Sequence, residues 1–366
     1  MHTVLVLGGY GFFGNRISAA LTSTASLRVL IGGRDAGRAS AAAQALGLPP
    51  EQAVALDAYD SNLGASLRRL QVDVLIHTAG PFQGQEYSVA RAAIEAGCHY
   101  VDLADGRQFV TGIGVLNSQA LAAGVTVISG ASSVPALSSA VVDRYLSRFR
   151  RLDAIRMGIS SGARAPGLAT VRGVFSYGGK PIRSWQDGAW VDAYGWLDLC
   201  RHAFPAPLGK RWVGSCDVPD LELFPRRYPT VRTVSFQAGF ASDLGHLVVW
   251  GLAGLVRAGI VRDMAVFARP LNRLSRWMEP IVSDKGGMFV TLEGEGTDGK
   301  PLCVNWNLIA ENNHGPHIPC GAAIALARKI GSGALLPTGA TPCMGLLTVE
   351  EFLEPLRDLS ISERVA

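Results

Sequence analysis

The chain has 366 residues, 48% of them apolar and 17% charged, with a formal net charge of +4. That composition excludes a disordered polymer, and so small a charge with no Lys/Arg run argues against nucleic acid as the main partner. The length exceeds one typical core and implies two domains. The first predicted element is a strand, Val4 to Leu7, whose unbroken apolar run suits a parallel strand buried on both faces. It leads straight into Gly8, Gly9, Gly11 and Gly14, after which Phe13, Ile17, Ala20 and Leu21 fall on one helix face. Gly9, Gly11 and Gly14 match G-x-G-x-x-G. In that pattern one glycine permits the tight turn, the next admits a pyrophosphate close to the backbone, and the last packs helix on strand. Gly8, Gly9, Tyr10, Gly11, Phe12, Phe13 and Gly14 are therefore the predicted phosphate cradle. The alternative, a glycine turn without a ligand, does not account for its place between a strand and an amphipathic helix.

Further strands are predicted at "LRVLIGG", "AVALD", "VDVLIHTAG", "HYVDLA" and "VTVISGAS". Leu63, Leu67 and Leu70 mark a helix behind an N-cap at Ser61, and Gly97 ends the helix before the fifth strand. Phe109, Ile113, Leu116 and Ala120 predict one helix stopping at Gly124. Strands alternating with helices make a doubly wound parallel Rossmann sheet over residues 1–133. The leading strand begins by Thr3 and leaves no room for a charged leader, so the expected location is cytoplasmic.

From residue 134 the pattern changes. Pro135 is expected to open a linking helix running through Tyr145. "AIRMGIS", "TVRGVFSY" and "VRTVSFQA" are strand candidates, and "MFVTLEGEG" and "LCVNWNLIA" form a hairpin turning at Asp298-Gly299. Trp185 to Tyr228 is read as a long ordered excursion. Residues 134–366 thus form an α+β domain on a largely open mixed or antiparallel sheet, with about 318–366 returning to pack on the first domain. Phe240 to Val261 is apolar but interrupted by Asp243, His246 and Arg257. Its uncharged interval is shorter than the ~20 residues a bilayer span needs, so it is expected as a buried helix rather than an integral segment, with peripheral membrane contact as a lesser alternative. The six cysteines are scattered without zinc spacing and are expected to be reduced and mostly buried.

The cofactor is read from the end of the second strand, where an acid would grip the ribose of NAD. Here Gly32 and Gly33 occupy that place, and Arg34 and Arg38 follow, which suits the 2′-phosphate of NADP. Asp35 is then a helix N-cap; the rival reading makes Asp35 the ribose ligand and NAD the cofactor. Thr78, Ala79, Gly80 and Pro81 end the fourth strand and suit a loop beside the nicotinamide ribose.

Taken in order, "GGYGFFG", "GGR", "HTAGPFQGQ" and "AGCHYVDLADG" resemble the saccharopine dehydrogenase-like (saccharopine reductase-like) NADP-binding oxidoreductases over roughly the first 135 residues. The hairpin "GGMFVTLEGEGTDGK" is similar to that of bacterial members. The resemblance implies a second domain for substrate and dimerisation, a homodimer, and reversible NAD(P)-linked oxidation of a small molecule at a C–N bond. By position it puts Gly9, Gly11, Gly14, Arg34, Ala79, Gly80 and Pro81 along the cofactor.

Other chemistries lack their residues. No Tyr-x-x-x-Lys is present, Gly80-Pro81-Phe82 stands where a sugar oxidoreductase has Glu-Lys-Pro, and Ser132 and Ser133 lack a G-x-S-x-G elbow. Cys98 precedes a strand, where burial is expected rather than reactivity. Asp102 and Asp105 end the fifth strand, where open α/β sheets bind ligands, with Arg107 close by to hold a carboxylate; these three and His314 are the candidates for proton transfer and substrate binding. Each aspartate also has a structural alternative, a cap for Asp105 and a framework hydrogen bond for Asp102. His314 and His317 lack a carboxylate at metal-ligand spacing, so no metal is expected. Arg164, Arg172 and Arg183 are basic residues of the second domain without a recognisable carboxylate clamp. Two other functions stay open: an enoyl or carbonyl reductase for a lipid-like substrate, and an NADPH sensor without turnover.

Overall fold

The computed structural model describes residues 1–163, 167–334 and 336–365. Two compact units result, Met1–Leu137 with His317–Pro355 and Ser138–Pro316 with Leu356–Ala366. In chain order the elements are β1 (His2–Leu7), α1 (Gly14–Thr22), β2 (Leu27–Gly33), α2 (Ala36–Ala45), β3 (Ala53–Ala55), α3 (Leu63–Arg69), β4 (Val74–His77), α4 (Ser88–Ala96), β5 (His99–Asp102), α5 (Arg107–Gly112), α6 (Asn117–Ala123) and β6 (Thr126–Ser129). There follow α7 (Ser138–Leu146), β7 (Phe149–Ser160), α8 (Leu168–Phe175), β8 (Pro181–Gln186), β9 (Ala189–Tyr194), β10 (Cys200–Ala203), β11 (Lys210–Ser215), α9 (Asp220–Arg227) and β12 (Thr233–Gly239). The chain closes with α10 (Asp243–Arg257), α11 (Ala268–Met278), β13 (Gly286–Gly296), β14 (Pro301–Ala310), α12 (Gly321–Gly331), β15 (Gly339–Pro342), α13 (Val349–Leu353) and β16 (Ile361–Val365).

The first unit is an α/β fold on a seven-stranded sheet in the order β15-β6-β5-β4-β1-β2-β3, parallel throughout. The order reverses between β1 and β4, whose last residues Leu7 and His77 are paired in register. That crevice is the topological switch point, where open α/β sheets take their ligands. Val4 to Leu7 and Val74 to Ile76 are buried on both faces, which is why these strands read as unbroken apolar runs.

The second unit carries a nine-stranded mixed sheet, β10-β11-β12-β7-β13-β14-β16 with the β8–β9 hairpin attached to β12. β12 and β7 run parallel, while β13, β14 and β16 continue antiparallel. Trp306 of β14 is fully buried and its Nε1 donates to Glu363 of β16 at 2.6 Å; Arg144 of α7 reaches the same carboxylate at 2.7 Å.

Several expectations are corrected. "TVRGVFSY" is helix, not strand: Leu168, Val171 and Phe175 fall three and four apart, and α8 buries the last two. The predicted helix over 109–120 is broken into α5, a tight turn at 113–116 and α6, although Gly124 does end it at φ +67°. The helix expected to open at Pro135 begins at Ser138, because Pro135 lies in an irregular turn with Val134 extended. The excursion after Trp185 contributes strands β9, β10 and β11, with Asp187 and Gly188, both at positive φ, turning the β8–β9 hairpin. The expected buried helix after Phe240 is α10, buried only at His246, Val249 and Ala253. Among the described residues no helix is long and apolar enough to cross a membrane.

Candidate functional site: a dinucleotide cradle at the switch point

The cradle is built where β1 gives way to α1. Gly8, at φ +87°, and Gly9 both donate to Gly32 O, at 2.8 and 3.1 Å, and Gly11 N returns to Gly8 O at 2.7 Å. This closes the turn tightly enough that a Cβ on Gly14 would lie 2.2 Å from Gly8 O. No side chain could enter there without moving the backbone, so Gly14 is what lets α1 start against β1. Phe13 occupies the N-cap of α1 and supplies no side-chain hydrogen bond to the helix start. Thr78 locks the opposite wall, its Oγ1 donating to Leu7 O at 2.9 Å. A backbone turn this close, with an uncapped helix start beyond it, fits a dinucleotide pyrophosphate.

At the end of β2, Gly33 lets the ring of Tyr10 lie flat against the strand; a Cβ there would stand 2.4 Å from the ring. Tyr10 Oη accepts from Asp35 N at 3.0 Å, and the Arg38 guanidinium sits 4.5 Å from the Tyr10 ring centroid. Asp35 Oδ1 accepts from Arg38 N at 2.9 Å and caps α2. Arg34 and Arg38 are both exposed here. The arrangement presents two guanidiniums and one aromatic ring, with its acid engaged in a cap.

Beyond β4 and β5 two loops meet. Gln85 Nε2 donates to Ala79 O at 3.1 Å and Pro81 O at 2.6 Å, which staples the 79–85 turn. Gln83 Nε2 donates to Asp105 Oδ1 at 3.1 Å and so joins the loop after β4 to the loop after β5. Gly106, not Asp105, is the N-cap of α5. Asp105 and Arg107 are half-buried. Gln83 and Gln85 stood inside a quoted motif, yet sequence reasoning passed over them because an amide signals neither charge nor acid–base chemistry.

Asp102 is placed differently. It is completely buried, and its Oδ1 accepts from Ala104 N at 2.9 Å, Ser129 Oγ at 3.0 Å and Gly130 N at 2.8 Å. Burial still pushes its carboxyl up to about 6, because these bonds offset only part of the desolvation. It ties the ends of β5 and β6 together, which is the structural alternative the sequence leaves open for it. His77, also buried, shares a 3.0 Å hydrogen bond with Tyr100 Oη, and desolvation lowers it to about 4, so it stays neutral. His314 lies in the second unit, where its Nδ1 accepts from Ser360 N at 2.8 Å. Arg164 falls outside the described residues. Cys98 is buried and its thiol pKa is raised by desolvation, so it is no nucleophile at neutral pH.

Residues 4–128 match the family model for the saccharopine dehydrogenase NADP binding domain. Apo saccharopine dehydrogenase (L-Glu forming) from Saccharomyces cerevisiae superposes over 100% of both chains at 15% identity with a TM-score of 0.69. Amine dehydrogenase from Mycobacterium smegmatis follows over 96% of this chain and 95% of its own, at 11% identity and a TM-score of 0.50. No curated protein sequence matches the chain. The solved structures show the fold of the chain, and residues 4–128 carry a domain that matches the saccharopine dehydrogenase NADP binding model.

Proposed function

We propose that the protein is an NADPH-dependent oxidoreductase that reduces a C=N bond in a small molecule, or oxidises the corresponding amine in reverse. The observation that carries the cofactor choice is the end of β2, where Gly33 replaces an acid, Asp35 is engaged as a cap, Arg38 lies over the Tyr10 ring and Arg34 is exposed. C–N chemistry is supported by the domain model that residues 4–128 match and by what two structural relatives are called, a saccharopine dehydrogenase and an amine dehydrogenase.

Gly8 to Gly14 would hold the pyrophosphate, and Thr78 to Pro81 would border the nicotinamide ribose. When bound, the cofactor supplies the hydride. The chain's own task is then the proton: reduction of an imine leaves nitrogen needing one, and Asp105, in the loop after β5 and held by Gln83, would supply it. Arg107 would hold a substrate carboxylate. Asp102 keeps β5 and β6 in register beneath them and takes no part in proton transfer. A homodimer fits this reading, and light scattering at twice the 38.7 kDa chain mass checks it.

The test is a paired measurement on Asp105→Asn with any amine or imine substrate found by screening. Turnover should fall ~10²-fold while NADPH affinity stays within about twofold. Arg107→Ala should chiefly raise KM. Loss of cofactor affinity along with turnover in Asp105→Asn would make Asp105 a structural group and overturn its assignment.

A further inference from the structure

The second unit holds a cavity of about 200 Å³ that the cofactor account does not use. Its walls include Val171 and Phe175 of α8, Phe240, Val248 and Val249 of and before α10, and Leu271 of α11. Two of its serine hydroxyls are engaged elsewhere: Ser242 Oγ accepts from Gly245 N at 3.1 Å, and Ser275 Oγ donates to Asn272 O at 3.0 Å. Water gains little in such a space, whereas an apolar ligand loses hydrated surface on entering it. Even the titratable group behind the wall is uncharged. His246 is fully buried beside the rings of Trp196 and Phe240, and neither ring nitrogen has a hydrogen-bond partner among the described residues.

The mouth is rimmed by apolar side chains facing solvent, Leu244 at 67% exposed and Leu274 at 53%. On the same two helices Trp250 is 42% exposed and Trp277 84%. From Arg257 to Met278 the chain carries five arginines and one acid, Asp263, which Lys180 already holds at 3.2 Å. Leucine, tryptophan and arginine around an apolar opening is the composition of a surface that meets an anionic amphiphile.

We infer that this cavity binds one acyl chain of an anionic amphiphile, admitted between α10 and α11 while the α11 arginines hold the headgroup. Two sources share this chemistry, a free fatty acid and an anionic phospholipid in a bilayer. The inference does not depend on turnover, so its failure would leave the NADPH reading untouched.

The full chain is titrated with cis-parinaric acid, whose fluorescence rises in an apolar site, and is floated with phosphatidylglycerol or phosphatidylcholine vesicles. Saturable parinarate binding displaced by palmitate is expected, weakened about tenfold or more by Val248→Trp or Leu271→Trp, which fill the cavity. NADPH affinity in both variants should match that of the native chain and report intact folding. Flotation with phosphatidylglycerol alone, lost in Arg273→Glu/Trp277→Ser, identifies the bilayer as the source. Parinarate binding without flotation identifies the free acid. The inference is overturned if the native chain gives no saturable parinarate signal, or if neither tryptophan variant weakens it. It is equally overturned if the chain gives no parinarate signal and is a dimer that Trp277→Glu dissociates, which would make the surface a contact between copies.

Discussion

Gly33 stands where an acid would select NAD, and its missing Cβ makes room for the Tyr10 ring. Arg34 and Arg38 then meet whatever extends past that ring. Charge-assisted contacts of this kind are each worth about tenfold in affinity. Arg34→Ala and Arg38→Ala are each expected to weaken NADPH by about that factor and leave NADH nearly unchanged, as read by fluorescence titration. These residues were legible in the sequence because charge and glycine spacing are local signals. Asp102 keeps two readings in the sequence for the same reason: its position at a strand end is visible in one dimension, but its three donors come from residues 104, 129 and 130 and appear only once β6 is alongside. Asp220 was not singled out at all. It is buried, accepts from Ser138 Oγ, and desolvation pushes it up to about 7. The folded chain therefore keeps that proton up to about pH 7, while the unfolded chain releases it near the ordinary carboxylate value. Ionisation is disfavoured in the fold, so stability is lost as pH rises between those two values. An asparagine has no proton to lose. Asp220→Asn should gain on the native chain progressively from pH 4 to pH 7, by ~1 kcal/mol or more, and hold that gain above. His77, His202 and His246, each lowered to about 4 by burial, act in the opposite sense but equally in both proteins, so the difference isolates Asp220. Urea melts at pH 5 and pH 8 measure it; a gap that shrinks with rising pH would refute the shift.

At the scale of elements, β1, β2, β4 and β5 were readable because burial on both faces writes a continuous apolar run. β15 was not, since "GATP" carries no apolar pattern and becomes a strand only by pairing with β6. α8 was misassigned because Val171, Gly173 and Phe175 alternate as well as they stack, and a short apolar run cannot separate the two periods. α10 misled through composition alone: its apolar residues do not all face inward, and two of the exposed ones, Leu244 and Val248, line a cavity. α2 offers a direct test of the competing cofactor reading. If Asp35 serves only as its cap, Asp35→Ala should cost ~1 kcal/mol in stability and leave the ratio of NADPH to NADH affinity unchanged. If Asp35 were the ribose ligand, the same variant would weaken NADH specifically.

On the scale of the molecule, neither unit is contiguous in sequence. The chain enters the second unit at Ser138, returns to the first at His317, and leaves again at Leu356 to end as β16 against β14. β16 thereby fills a strand edge within the chain that the hairpin pattern alone left open. The first unit depends on its late segment: α12 is buried at Ile324, Leu326 and Ile330, and Arg328 donates to Ala20 O at 3.1 Å. Residues 1–137 expressed alone are expected to expose that surface and to melt well below the full chain, by calorimetry. The cradle's preference for NADPH is the property on which the rest depends. It is tested most directly by titrating the full chain with NADPH and NADH under identical conditions. Saturable binding of both at the same site, with NADPH about tenfold or more the tighter, is the result predicted. Equal curves, or NADH the tighter, would contradict it.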